Sequence, residues 1–279
     1  MPVALVTDST AYLSDEAVAR YGVDVVPLSV VMGDQVLEEG VDVTPGDVAA
    51  ALQRRVHVTT SRPNPEAFAA AYRAAAERGA DAVVSLHLSA ELSGTYEAAV
   101  LAAEDAPLPV RVLDTRMVAM ALGYPVLTAA LVAQAGGSLD EVVAAAEKRA
   151  GATTGFFYVD TLEYLRRGGR IGAARAMLGS ALAVKPLLHL ADGRIQPLEK
   201  VRTSSRAIAR LEEIAIAQAG AAEVDVAVHH LAAEAGALTL AARLRERIPG
   251  LRELQVGEVG AVIGAHAGPG LLAVVVSPY

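Results

Sequence analysis

Short polar stretches recur along an otherwise apolar chain of 279 residues, each where a predicted strand or loop gives way to the next element. They are Asp8-Ser9-Thr10, Thr60-Ser61-Arg62-Pro63, Leu92-Ser93-Gly94-Thr95-Tyr96, Gly168-Gly169-Arg170-Ile171, Lys200-Val201-Arg202 and His266-Ala267-Gly268-Pro269-Gly270. Their hydroxyl, guanidinium and imidazole groups suit an anionic head group better than a metal ion or a nucleotide. Because 53% of the residues are hydrophobic, the chain can also line a cavity for the apolar part of such a ligand.

Two of these stretches, Thr60-Ser61 and Ser93-Gly94-Thr95, place hydroxyl groups just before predicted helices. The free N–H groups and the positive dipole end of a helix start favour an anion. Both starts are expected at the carboxyl edge of one parallel sheet, where they could converge on a single carboxylate. Gly94 would let a ligand approach the backbone closely. The alternative is that these residues are ordinary helix caps without a ligand.

The remaining candidate side chains are one histidine and two arginines. Three glycines surround His266 and predict a tight, exposed loop, which either presents the imidazole to a ligand or is a turn with an incidental histidine. Arg170 follows two glycines, and Arg202 ends a predicted hairpin strand. Each arginine has a second interpretation as a solvated surface charge.

Residue content excludes several classes of function. The chain has no cysteine, so disulfides, thiolate catalysis and cysteine-ligated metals are excluded, and its net charge of −8 disfavours a nucleic-acid partner. The sequence contains no Walker loop, dinucleotide-binding glycine motif or His-Glu-x-x-His motif. Ser93 lacks the glycines of a nucleophile elbow, because Glu91 and Thr95 occupy their positions. Neighbouring His229 and His230 would point to opposite faces of a strand and make a poor metal pair.

The predicted location is cytoplasmic. The N-terminus lacks the basic region of a signal peptide and carries Asp8 where such a peptide is apolar. Residues 117–139 carry no charge and are long enough to span a bilayer. Gly123 and Pro125 interrupt this stretch near its start, so a buried helix is predicted there.

The order of predicted elements indicates an α/β protein with two domains. Up to residue 152 strands and helices alternate, including one strand over 23–31, which predicts a parallel sheet in a three-layer α/β/α arrangement. Beyond it, the turn Ala191-Asp192-Gly193-Arg194 separates strands predicted over 184–190 and 195–201. A hairpin among strand–helix units predicts a mixed sheet. The predicted domains are residues 1–152 and 153–279, packed directly, with a ligand site where they meet.

The ordered set of motifs resembles the DegV family of bacterial fatty-acid-binding proteins. The markers are Thr7-Asp8-Ser9-Thr10, Thr60-Ser61-Arg62-Pro63, Leu92-Ser93-Gly94-Thr95-Tyr96, Gly169-Arg170-Ile171, Lys185-Pro186, Lys200-Val201-Arg202 and His266-Ala267-Gly268-Pro269-Gly270. The resemblance covers essentially the whole chain. It implies a DegV-like fold and a long-chain fatty acid buried in a tunnel of the N-terminal domain, with no cofactor and no metal. It places the carboxylate at Thr60, Ser61, Ser93 and Gly94, with His266 of the second domain completing the head-group site.

The resemblance also implies a partner. In that scheme the protein is a carrier and not an enzyme, and it presents its fatty acid to a separate ATP-dependent fatty acid kinase. The acyl phosphate that this kinase forms enters phospholipid synthesis. Arg170 and Arg202 resemble family arginines that matter for this phosphorylation.

Two departures from the family pattern bear on the pocket. Arg62 stands where the family usually has Gln, and Leu86-His87-Leu88 replaces a serine-rich run. The arginine adds a charge beside the head group, and His87 could narrow or redirect the cavity. Two other functions stay open: a dihydroxyacetone-kinase-like subunit that holds a small ketone through histidine, and a lipid-sensing regulatory module.

Overall fold

A computed structural model describes residues 2–177 and 185–279. Over these residues the strands are β1 (Val3–Asp8), β2 (Asp24–Val26), β3 (Ser29–Met32), β4 (Gln35–Glu38), β5 (Val58–Ser61), β6 (Ala82–His87), β7 (Val110–Asp114), β8 (Thr154–Tyr158), β9 (Lys185–Ala191), β10 (Arg194–Val201), β11 (Val224–His230), β12 (Leu251–Glu258) and β13 (Leu272–Pro278). The α-helices are α1 (Asp15–Tyr21), α2 (Pro45–Gln53), α3 (Pro65–Glu77), α4 (Thr95–Ala103), α5 (Met120–Gln134), α6 (Leu139–Ala152), α7 (Glu163–Arg167), α8 (Ser204–Ala219), α9 (Glu234–Arg247) and α10 (Ala261–Ala267). The chain divides into two compact units, Met1–Ser29 with Ser61–Ala152 and Val30–Thr60 with Thr153–Tyr279.

The first unit is built on the parallel sheet that the strand–helix alternation predicts. Its strand order is β2-β1-β6-β7, and all three pairings are parallel. Every residue of β6 is buried, as expected for a central parallel strand covered on both faces. Phe68 and Tyr72 of α3 and Ala99 of α4 pack in one cluster with Val6 and Val83 of the sheet. The prediction of a parallel sheet in this part of the chain is confirmed.

The second unit contains a mixed sheet with the order β10-β9-β8-β13-β11-β12. Only the β11–β12 pair is parallel, and the other four pairings are antiparallel. The predicted hairpin joins β9 to β10 through Asp192 and Gly193, whose φ angles of 51° and 76° both lie in the left-handed region. Such angles at both central residues are those of a two-residue type I′ turn. The predicted strand is observed from Lys185, and residue 184 lies outside the described residues.

The prediction of a single strand over 23–31 is wrong. The structure has two strands there, β2 in the parallel sheet and β3 in a three-stranded sheet with the order β4-β3-β5. Pro27 lies between them and has no N–H to continue a ladder, so the chain can leave the first sheet at this point. Residues 30–60, which the sequence assigned to the N-terminal domain, are grouped in the structure with the second unit.

Several α-helices begin at residues whose side chains favour the N-cap position. The Ser14 side chain accepts a hydrogen bond from Ala17 N–H, and Thr44 forms a capping box with Asp47. Asn64 caps α3, and Pro65 occupies its first position. The uncharged stretch forms α5, and within the described part of the chain no helix is long and apolar enough to cross a membrane.

Candidate functional site

Thr60 and His266 are hydrogen-bonded to each other, although 206 positions separate them in the sequence. Thr60 is on β5 and His266 is on α10, and both belong to the second unit. The distance from Thr60 Oγ1 to His266 Nε2 is 2.7 Å, and both side chains are partly buried. The structure therefore joins the hydroxyl of one predicted site motif to the imidazole of another.

The expectation that His266 lies on an exposed loop is wrong, because the residue is in the last turn of α10. Most residues of this helix are buried, and a Cβ atom at Gly264 would lie 3.2 Å from the Leu231 side chain. Gly268 and Gly270 have φ angles of 77° and 89°, which favour glycine, and they lie close to Tyr164 and Asp160. The glycines around His266 thus serve close packing and the end of a helix.

The environment of His266 keeps its imidazole neutral at pH 7. Burial, and secondarily the nearby positive charge of Arg170, lowers the pKa of His266 to about 4. Its Nδ1 atom is buried, and none of the residues that the structure describes gives it a hydrogen-bond partner. A neutral imidazole can donate or accept at Nε2, so the pair is a polar but uncharged contact for a ligand atom beside Thr60.

The two arginines lie in different surroundings within the second unit. Arg170 is partly buried just after α7, and its Nη1 donates to the carbonyl of Gly168 over 2.6 Å. A Cβ atom at Gly168 would overlap the His266 ring, so this glycine brings the Arg170 loop against the imidazole. Arg202 is exposed between β10 and α8. Of the two guanidinium groups, that of Arg170 is the one that acts electrostatically on His266.

In the first unit, Ser93 and Gly94 precede α4. Gly94 is the N-cap residue and offers no side-chain cap, while Ser93 Oγ and Thr95 Oγ1 are 2.9 Å apart. The Arg62 guanidinium lies over Gly94, with 3.5 Å between Nη1 and the Gly94 carbonyl oxygen. This places the extra charge noted in the sequence beside the Ser93 motif.

None of the three predicted hydroxyl residues is a helix cap. Asn64 caps α3, and no side chain caps α4. Thr60 and Ser61 lie on β5, before the cap, and the exposed Ser61 donates its hydroxyl hydrogen to the Arg62 carbonyl over 3.2 Å. The interpretation of Thr60, Ser61 and Ser93 as structural caps is therefore wrong.

Comparison with known proteins identifies the family. The family model described as "Uncharacterised protein, DegV family" matches residues 2–279. The chain belongs to the DegV family. It is 68% identical over 275 residues to the DegV domain-containing protein SCO2569 of Streptomyces coelicolor, covering 99% of this chain and 98% of that protein.

Solved DegV structures have the same fold. A DegV family protein from Thermus thermophilus, described for its fatty acid binding, superposes with a TM-score of 0.95 at 36% identity, covering 100% of both chains. DegV of Bacillus subtilis, described as a fatty acid binding protein, gives a TM-score of 0.91 at 32% identity, also over 100% of both chains. The predicted α/β fold of the DegV type is thus confirmed.

The first unit of this DegV protein contains a buried row of hydrogen-bonded polar side chains, formed by Asp8, His87, Ser85 and Tyr72. The sequence analysis does not predict this row. His87 Nδ1 lies 3.1 Å from a carboxylate oxygen of Asp8, and His87 Nε2 lies 2.7 Å from Ser85 Oγ. Tyr72 donates its hydroxyl hydrogen to Ser85 over 3.0 Å, and burial raises the pKa of Tyr72 to about 12. Asp8 also accepts a hydrogen bond from Thr10 N–H at the start of the short 3-10 helix Ser9–Ala11. These residues lie on three separate elements, so spacing along the chain could not have grouped them.

Proposed function

We propose that this protein binds a long-chain fatty acid, that the Thr60 hydroxyl donates to its carboxylate, and that His266 completes the head-group site by orienting that hydroxyl. The observation that carries the proposal is the 2.7 Å contact between these two side chains in a chain of the DegV family. The solved relatives described as fatty-acid-binding proteins support the ligand class. The assignment of Ser61, Ser93 and Gly94 to carboxylate binding is part of the same proposal and rests on the family resemblance.

The neutral state of His266 fixes how the pair would act on a carboxylate. With its hydrogen on Nε2, the imidazole donates to Thr60 Oγ1, and the Thr60 hydroxyl hydrogen is free to point at a ligand oxygen. The other tautomer would bury an N–H at Nδ1, for which the described residues supply no acceptor. We assign the first tautomer. Thr60 and neutral His266 place no positive charge on the carboxylate, so this pair leaves its electron density available for a later reaction.

The hydrocarbon tail supplies most of the affinity in this proposal. Burial of one methylene contributes about 0.8 kcal/mol, so a sixteen-carbon tail offers roughly 12 kcal/mol before the costs of association and ordering. The contacts to the carboxylate then need only to orient the ligand, because burial of the tail supplies the binding free energy. A hydrophobic content of 53% is consistent with an apolar tunnel for this tail.

The proposal extends to presentation of the ligand to a separate ATP-dependent fatty acid kinase. In that step a carboxylate oxygen attacks the γ-phosphorus of ATP, the new O–P bond forms, and ADP leaves as the old bond breaks. The partner supplies ATP and catalysis, and this chain supplies the oriented carboxylate, with Arg170 and Arg202 near the transferred phosphoryl group or the partner. The cytoplasmic location and the entry of the acyl phosphate into phospholipid synthesis stay predictions.

Native mass spectrometry with lipid extraction tests the ligand. Protein purified from cells is expected to carry long-chain fatty acid, and protein stripped of lipid is expected to bind palmitate or oleate. Thr60→Val and His266→Ala should weaken binding, whereas the control Thr59→Val alters the neighbouring position of β5, which points to the opposite face. A wild-type protein that carries no lipid and binds neither acid would refute the proposal. A small polar ligand in its place would favour the ketone-binding alternative.

Phosphorylation tests the partner. Incubation of the loaded protein with the fatty acid kinase of its own organism and ATP should give acyl phosphate, and Arg170→Ala should reduce the yield while leaving lipid bound. Lipid binding without any acyl phosphate would instead support the lipid-sensing module.

A further inference from the structure

The backbone conformation of Gly168 gives no reason for a glycine there. Gly168 follows α7 with φ −74° and ψ −6°, which is right-handed and open to any residue. Its neighbour Gly169 differs, with a left-handed φ of 72°. The glycine at 168 therefore needs an explanation from its surroundings.

That explanation is the imidazole of His266. A Cβ atom at residue 168 would overlap Nδ1 of the ring and would lie 2.8 Å from Cε1 and 3.2 Å from Cγ. One edge of the ring thus lies directly against Gly168. The ring cannot turn away freely, because its Nε2 atom at the opposite edge is 2.7 Å from Thr60 Oγ1. A side chain at residue 168 would break that contact.

The carbonyl of the same residue holds Arg170. The Gly168 oxygen accepts a hydrogen bond from Arg170 Nη1 over 2.6 Å. The backbone around it is closed by hydrogen bonds from Gly168 N–H to the Tyr164 carbonyl and from Arg170 N–H to the Leu165 carbonyl, at 2.9 and 3.0 Å. One backbone position therefore contacts an imidazole through its α-carbon and a guanidinium through its carbonyl oxygen.

We propose that Gly168 is a positioning residue that sets His266 and Arg170 in one arrangement. Its missing side chain admits the imidazole to hydrogen-bonding distance of Thr60, and its carbonyl directs the guanidinium. The consequence for fatty acid binding rests on the function proposed above, while the arrangement itself does not. Gly268 and Gly270 also lie near this region, but their positive φ angles would add backbone strain to any substitution. A substitution at Gly168 therefore tests the steric contact with the His266 ring without added backbone strain.

A double-mutant cycle isolates the contact between residues 168 and 266. The variants are Gly168→Ala, His266→Ala and the two combined, with Gly155→Ala as a matched control, since a Cβ atom there meets nothing nearer than 3.9 Å. Gly168→Ala alone should lower the folding equilibrium constant measured in urea by about tenfold or more. In the His266→Ala background the same change should cost little, because the overlapping ring is gone. An equal cost in both backgrounds, or failure of the double variant to fold, would overturn the proposal.

Nuclear magnetic resonance measures chemical shifts of His266 and Arg170 that a general loss of stability would not change. The ring ¹⁵N signals of His266, assigned by their absence in His266→Ala, report the tautomer and the Nε2 contact. The Nε–H signal of Arg170, assigned by its absence in Arg170→Lys, reports the guanidinium. Both signals should shift in Gly168→Ala and stay unchanged in Gly155→Ala. An unchanged His266 signal in folded Gly168→Ala would contradict the proposed role.

Palmitate binding links the arrangement to the ligand. Gly168→Ala should weaken binding about as much as His266→Ala does, with no further loss when the two are combined. If the losses in palmitate-binding free energy of the two single variants add in full, Gly168 does not act on the head-group site through His266. If the wild-type protein binds no palmitate, the proposed function fails. The double-mutant cycle in urea and the ¹⁵N signals of the His266 ring still test whether Gly168 positions His266.

Discussion

The carboxylate of Glu39 accepts a hydrogen bond from the backbone N–H of Val262, with 2.8 Å between Oε1 and the nitrogen. Val262 is in the first turn of α10, whose N-cap residue Gly260 has no side chain to cap it. Glu39 supplies that cap and is buried in doing so. Since Thr60 contacts His266 in the last turn, residues 30–60 hold both ends of the helix that carries the histidine.

Removal of this cap should loosen α10. We expect Glu39→Ala to lower the free energy of unfolding by roughly 1–2 kcal/mol and to weaken palmitate binding, because the helix start loses its acceptor. Glu39→Gln keeps an acceptor oxygen and should lose less. Urea titration and calorimetric binding measure both effects, with the exposed Glu38→Gln as control. A Glu39→Ala protein with wild-type stability and binding would show that α10 does not depend on Glu39.

Acid should destabilise the protein before its carboxylates are protonated. Burial lowers the pKa values of His229 and His266 to about 4 in the folded protein, whereas an unfolded histidine titrates near about 6.5. As the pH falls from about 6.5 to about 4, the unfolded state binds protons that the folded state does not. The stability that is complete above about pH 6.5 is therefore lost, at roughly 1.4 kcal/mol per pKa unit for each group.

Urea denaturation at about pH 7 and about pH 5 measures this loss. His266→Gln should show a smaller difference between the two conditions than the wild type. The exposed His57→Gln is the control and should keep the full difference. An identical pH dependence in His266→Gln and wild type would mean that His266 is not a buried neutral group.

Arg62 should strengthen carboxylate binding modestly. Its guanidinium lies against Gly94, the residue that follows Ser93, and it is exposed, so solvent screens its charge. We expect Arg62→Gln to weaken palmitate binding a few-fold at low salt and to make binding less sensitive to salt. The exposed Arg54→Gln removes the same charge elsewhere and serves as control. Equal effects of the two variants would assign the change to net charge alone.

The buried row through His87 should be a large stability determinant. His87→Ala removes the contacts to Asp8 and Ser85 and leaves a fully buried carboxylate with fewer partners. The expected loss is roughly 2–4 kcal/mol, against roughly 1 kcal/mol for Tyr72→Phe, which deletes one hydroxyl from the same row. Thermal or urea unfolding of both variants measures the difference. Similar small losses in both would indicate that Asp8 finds other partners.

Local signals predict the parallel sheet of the first unit and the hairpin of β9 and β10. The Asp192-Gly193 turn is predicted correctly because its conformation depends on adjacent residues. The strand over 23–31 was misread because every residue in it except Pro27 is compatible with one strand, and which sheet each half joins is decided by distant partners. His266 was misread in the same way, since glycines that predict a loop also allow a tightly packed helix.

The family, the α/β class and the identity of the polar residues follow from the sequence, because motifs, periodicity and turn residues are properties of short stretches of chain. The pairing of Thr60 with His266, the cap from Glu39 and the fit of Gly168 to the imidazole were decided only by the tertiary structure. Each depends on atoms from segments about 100 or more positions apart. Their approach is set by the packing of whole elements, which no local pattern records.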